Sequence, residues 1–259
     1  HPEQQYLQLL RSMVDEKHIA RLPFDGASVM MKRVNMLSEC GSIQLDLSGD
    51  RLPAITTRRM HIDNILSYVC IFFQRMLDSS VETRQTHLVS PTIASTLDLL
   101  LDAWPDDALS TLSANRQLTL RLNGGDSAQY NNNTPTCVHF DATDKIHLNV
   151  YVSFVDCEVV TDLPEAMIVF SALSRSVAHI NHLKCQMLTI TMYNCVMDER
   201  HVTIARSQLE FDPKPWPRMH MHGMSSVRDL YNIELGNFKT QAYDYWKEYA
   251  ALNRKALVC

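Results

Sequence analysis

Leu163–Pro217 reads LPEAMIVFSALSRSVAHINHLKCQMLTITMYNCVMDERHVTIARSQLEFDPKPWP, and three patterns follow one another along it. Residues 165–182 carry Met167, Ile168, Phe170, Ala172, Leu173, Val177, Ala178 and Ile180. A helix apolar on nearly every side is a buried helix. Met187 to Val196 alternates apolar and polar, the period of a strand. Residues 199–210 have the spacing of a second, amphipathic helix, and Pro213, Pro215 and Pro217 stop it because proline cannot continue the ladder. A buried helix, a core strand and a surface helix in that order predict an α/β (α+β) fold.

Working outward, the chain has 259 residues and 46% apolar residues, enough for one large domain with its own core. No linker, internal repeat or low-complexity tract divides it, so residues 1–259 are read as a single domain. No run of about 18 apolar residues is present, which argues against a membrane span. HPEQQYLQLL lacks the basic start and long apolar centre of a signal peptide. The net charge is −5 with acids and bases interspersed, which gives no electrostatic footprint for nucleic acid. Seven cysteines, Cys40, Cys70, Cys137, Cys157, Cys185, Cys195 and Cys259, show no CxxC spacing. The pattern is that of reduced thiols in the cytoplasm or another reducing intracellular compartment. The seven glycines of the chain leave few places where a backbone can close around a phosphate.

Toward the N-terminus, Tyr6, Leu7, Leu9, Leu10, Met13 and Val14 form one face of an opening helix. Ser42 to Leu47 alternates as a strand, SGDR is a turn, and LPAITTRR leads into a helix over 61–74. Ser95 to Trp104 is a helix beginning near Pro91; the rest of 76–115 is hard to read. RQLTLRLN is a strand with Leu118, Leu120 and Leu122 on one face. GGDSAQYNNNTPT is a polar loop. CVHF, DATDK and IHLNVYVSF form a hairpin with Ile146, Leu148, Val150 and Val152 on one face. RMHMHGM is a short strand, and residues 240–254 are helical.

These residues together resemble thymidylate synthases and the related pyrimidine nucleotide hydroxymethylases. AHINHLK, ten further residues, and a helix ending in DPKPWP fit the family without a gap. So do the opening helix, LSECG with its strand and turn, and LPAITTRR. The match is strongest over 1–14, 37–75 and 145–217. The resemblance implies a mixed β-sheet packed against a central buried helix and surface helices. It also implies a two-fold dimer, hence a homodimer or a pairing with a related chain.

The family's reaction adds a cysteine thiolate to the pyrimidine ring, and the resulting enolate attacks a folate-borne one-carbon unit. Here the family pattern breaks. The glycine-rich phosphate loop is replaced by MMKRVNM, Met30 to Met36, with Met31 in the place of the arginine and Arg33 as a substitute. The catalytic Glu and folate-stacking Trp positions hold Tyr68 and Ile71. The arginine pair that reaches the partner's phosphate site is Asn115 and Arg116. Of the Arg-Ser-x-Asp motif, at Ser153 to Asp156, Asp156 alone remains. The pyrimidine-reading Asn is Ala166, and Asp-x-His-x-Tyr has become Asn194, Val196 and Asp198.

Cys137, in TPTCVHF, has the family's Pro-Cys-His flavour but competes with a second register. Aligning DATDKIHLNVYVSFVD without a gap puts Ala142, Lys145, Tyr151 and Asp156 on family-like positions and the nucleophile position on Asn133. That register is favoured, because a four-residue loss would shorten the hairpin. Cys137 is then a small apolar strand residue.

The replaced residues point to a non-catalytic member, a pseudoenzyme with no cofactor that serves a structural or protein-interaction role. On this reading Met30, Met31, Phe154 and Val196 fill the old cavity. The alternative is a divergent C5 methyl- or hydroxymethyltransferase with Cys137 as nucleophile and methylene-tetrahydrofolate as donor. Arg33, Arg116 and Asp156 are then the substrate-binding candidates. A third reading is nucleotide or RNA binding through Arg33, Arg116 and Lys32. Tyr243, Trp246 and Tyr249 on the last helix are candidate contacts for a protein partner. No metal site is expected: His220 and His222 share a strand face but are two ligands, where zinc takes three or four. His179 and His182, three apart on the central helix, read as buried satisfied groups or partner contacts.

Overall fold

The computed structural model describes residues 2–14, 20–24, 27–33, 42–48, 91–122 and 134–210. Helix α1 (Pro2–Val14) is followed by strands β1 (Ala20–Phe24), β2 (Ala27–Arg33) and β3 (Ser42–Asp46). Then come α2 (Pro91–Ala103), α3 (Ala108–Asn115), β4 (Gln117–Arg121), β5 (Pro135–Asp141) and β6 (His147–Glu158). The decisive stretch supplies α4 (Asp162–Ile180), β7 (Lys184–Asp198), a 3-10 turn (Glu199–His201) and α5 (Val202–Glu210). The buried helix, the strand and the amphipathic helix all form, with ends displaced by a few residues.

The seven strands make one mixed sheet in the order β1-β2-β7-β6-β5-β4, with β3 also on β7. β6 and β7 are parallel, joined through α4, and the other pairings are antiparallel. One edge of β7 is shared: β3 covers Met187–Thr191, and β2 covers Asn194–Asp198. Register lines the apolar residues into rows that cross five strands. Leu118, Phe140, Val150, Leu188 and Leu45 form one, and Leu120, Val138, Val152, Ile190 and Ile43 the next. All ten are buried. α4 lies against β6 and β7, and its Phe170 meets Phe154 edge to face at 6.5 Å. α1 adds Tyr6, Leu9, Leu10 and Met13 to the same core.

Three expectations are corrected. Met30–Arg33, expected in a loop, belongs to β2 and pairs with β7; the stretch has neither the glycine nor the proline that a turn favours. Ile146, expected on the apolar face of the hairpin, is 53% exposed. It precedes β6 inside a turn whose Asp144 carboxylate accepts from the backbone N–H groups of Ile146 and His147. Those donors hold the exposed Asp144 carboxyl down at a pKa of about 2. His179 and His182, read as buried satisfied groups or as partner contacts, are both exposed at the end of α4, which overturns the first of those two readings. There His182 takes φ 55°, which turns the chain toward β7. Helix α3 had no counterpart in the reading of 76–115. The 61–74 helix, the loop 123–133, the proline stop, RMHMHGM and the C-terminal helix with Tyr243, Trp246 and Tyr249 lie outside the described residues. Among the described residues no helix is long and apolar enough to cross a membrane.

Candidate functional site

In open sheets ligands sit beyond the carboxyl ends of parallel strands. Here that place is formed by the ends of β6 and β7, with β2 alongside. Register puts Arg33 of β2 opposite Asn194 of β7, and Asn194 opposite Asp156 of β6. Two of the expected substrate-binding residues, Arg33 and Asp156, therefore share one row. The Asn194 amide donates to the Asp156 carboxylate at 2.6 Å, so the surviving family-like acid is tied to a neighbouring strand.

The next rows set Lys32 and Cys157 on either side of Cys195, and Met31 and Glu158 on either side of Val196. Met30 faces Met197. Phe154, the other expected cavity filler, lies four residues before Glu158 and belongs to the core.

Glu158 was not singled out from the sequence. Its side chain is 10% exposed beside a His201 that is 12% exposed. One carboxylate oxygen accepts from Val160 N at 2.8 Å, Thr161 N at 2.5 Å and Thr161 Oγ1 at 2.8 Å. The other faces His201 Nδ1 at 3.0 Å and accepts from Asp198 N at 3.3 Å. A carboxylate can only accept, so His201 donates. The network fastens the end of β6, the entry to α4, the end of β7 and the 3-10 turn to one another. A signal was present: Glu158 is a lone charge in the apolar run Cys157–Val160, three residues before Thr161.

A helix N-terminus can hold a phosphate on its free N–H groups. At α4 that entrance is acidic. Glu158 takes the amides of Val160 and Thr161 just ahead of the helix, and Asp162 and Glu165 stand in its first turn. Asp156 and Asp198 add negative charge at the same sheet end. Asp198 is kept below the usual carboxylate range, first by its hydrogen bond from Arg200. Lys32 and Arg33 of β2 stand in the neighbouring rows, so this sheet end carries both signs of charge and not the all-cationic clamp that grips a phosphate.

Cys137 and Arg116 lie elsewhere. Cys137 is in mid-strand, with Arg121 opposite it on β4 and Ser153 opposite it on β5's other neighbour, β6. Burial pushes its thiol up, and the Arg121 charge opposes that only in part. A nucleophilic cysteine needs the reverse. Asn133 of the gapless register lies outside the described residues.

Arg116 caps α3 in the left-handed region at φ 63°, its N–H donating to Leu112 O. It precedes Gln117, whose row passes through Asn149. Asn149 is seven residues before Asp156, about 23 Å along a strand. Within one protomer Arg116 therefore joins neither Arg33 nor Asp156. A glycine relieves left-handed strain, so Arg116→Gly is expected to stabilise the chain by about 0.5–1 kcal/mol in urea unfolding. A loss of stability would show that the guanidinium makes an attractive contact that outweighs the strain.

Among the described residues no group of three or more His, Cys, Asp or Glu could hold a metal ion. A groove of about 460 Å³ between α1 and β3 is lined, among the described residues, by Gln5, Gln8, Leu9, Ser12, Ser42, Ile43 and Gln44, none of them an acid, base or thiol.

The family model described as thymidylate synthase matches residues 114–252, more than half of the 259 residues. The chain belongs to the thymidylate synthase family. A search of curated proteins finds no match to it.

Proposed function

We propose that this member of the family does no pyrimidine chemistry and acts through its shape, as a non-catalytic subunit that assembles by the open face of its sheet. The observation that carries the reading is the content of the carboxyl ends of β6 and β7. The family's phosphate, base and sugar readers are replaced there, and the Glu158 carboxylate holds the backbone just ahead of α4. No folate or metal enters this account.

The opposite face of the sheet from α4 supports assembly. Its central positions are Asn149, Tyr151, Ser153 and Val155 on β6 and Met187, Thr189, Thr191 and Tyr193 on β7. None is charged. Tyr151, Val155 and Tyr193 are 41%, 42% and 47% exposed, a large apolar investment for a free surface. Among the residues of β3 to β7, charges on this face stand toward the rim, with Arg121 on β4, Asp141 on β5 and Asp46 on β3. An uncharged, aromatic-bearing centre inside a polar rim is the anatomy of a protein interface, and a second copy of this chain is its simplest occupant.

Sedimentation velocity tests this. The protein is expected to run as a dimer at micromolar concentration. Tyr151→Lys with Tyr193→Asp is expected to run as a folded monomer with Tm within a few degrees of a monomeric reference condition. A wild-type chain that stays monomeric would contradict the assembly role.

Arg121 beside Cys137 is the one observation favouring a second reading, in which Cys137 is a nucleophile for a folate-dependent transfer. Its test is turnover of a pyrimidine nucleotide with methylene-tetrahydrofolate, abolished by Cys137→Ser.

A further inference from the structure

Cys157 and Cys195 are partners on the adjacent parallel strands β6 and β7. Both are completely buried. Partners on neighbouring strands have Cα atoms about 4.8 Å apart and side chains on the same face. Disulfides span Cα separations of roughly 4.4–6.8 Å and Cβ separations of roughly 3.5–4.5 Å, so the Cα spacing is met and a small approach of the two Cβ atoms completes the geometry. We propose that Cys157 and Cys195 form a reversible dithiol–disulfide pair that staples β6 to β7 when the protein meets a small peroxide. The pair belongs to no step of pyrimidine chemistry, and its existence does not depend on whether the protein is catalytic.

The electrostatics set its rate. Burial first, and then the charges of Asp162, Cys195, Glu158 and Asp156, hold the Cys157 thiol well above its usual range. The contribution from Cys195 places the two groups within electrostatic reach of each other. A thiol so protected is inert while the sheet end is closed, so the oxidation proceeds through local opening of the ends of β6 and β7, which brings the thiol to water and to hydrogen peroxide. One thiolate attacks the peroxide, forming sulfenic acid and releasing hydroxide, which takes a proton to become water. The second thiol attacks that sulfur, the S–S bond forms, and a second water leaves. Two thiols are oxidised and one peroxide is reduced.

The bond would lie one residue from the Asp156–Asn194 hydrogen bond and one from Glu158. It would lock covalently the same strand ends that those polar groups already join.

The test uses the intact folded protein with hydrogen peroxide and no denaturant. Remaining thiols are then blocked with N-ethylmaleimide in denaturant, and digests are analysed by mass. The expected product is a peptide pair joined through Cys157 and Cys195, removed by dithiothreitol and absent from Cys195→Ser. Circular dichroism before and after checks that the linked protein kept its fold. Recovery of both residues as maleimide adducts, or of Cys157 as sulfinic acid without linkage, would overturn the proposal. Linkage that appears only in denaturant would also overturn it, since the two cysteines would then be packing residues.

Discussion

Glu158→Ala is expected to lower the unfolding free energy by about 3–5 kcal/mol, the cost of leaving several buried or half-buried donors without their shared acceptor. The residue accepts from Val160 N, Thr161 N, Thr161 Oγ1 and Asp198 N and faces His201. Removing it leaves buried N–H groups and an imidazole without the acceptor they were placed around. An unmet buried donor costs about 1–3 kcal/mol by itself, so the sum lies at the upper end for a single replacement. Glu158→Gln retains a carbonyl oxygen for one set of donors and is expected to lose about half as much. Urea unfolding at neutral pH separates the two variants. A loss below about 1 kcal/mol for alanine would mean that the α4 entrance is held by packing and not by the carboxylate.

The second large effect lies inside the core. Phe170 is fully buried, and its ring meets that of Phe154 at 6.5 Å and 85°. Phe170→Ala is expected to cost about 3–5 kcal/mol, because the emptied volume is only partly refilled. Phe154→Ala, on the facing strand, should cost a similar amount. The double variant should cost less than the sum by about 0.5–1.5 kcal/mol, the edge-to-face coupling of the rings. Strict additivity would show that the rings contribute only through burial. Both measurements concern the α4–sheet contact on which the site's geometry rests.

How much of this was legible follows from where the determining interactions lie. α4 and β7 were readable because their periodicity is local, and a helix of Phe170, Leu173 and Val177 has no other way to bury its apolar sides. The buried rows of the sheet were readable in part: Leu118, Leu120, Leu148, Val150 and Val152 alternate along their own strands. β2 was missed because Val29–Arg33 does not alternate cleanly, and its pairing with Asn194–Asp198 spans most of the described chain. That Met31 and Ser153 stand where the family resemblance expects arginines was readable residue by residue. Glu158 was not, since its partners Asp198 and His201 come together with it only when β7 folds beside β6. The Arg33–Asn194–Asp156 row is likewise a product of register, which no single stretch of sequence encodes. Arg116 shows another case: its left-handed backbone at the end of α3 could not be read from the residues around it.

The central claim is that the nucleotide site has been given up. It is tested most directly by calorimetric titration of the folded, assembled protein with dUMP, dCMP, UMP and CMP. The account predicts no binding of any of them up to millimolar nucleotide. Micromolar binding of one of them, lost in Cys137→Ser or Arg33→Ala, would contradict it and would assign the protein a working pyrimidine site.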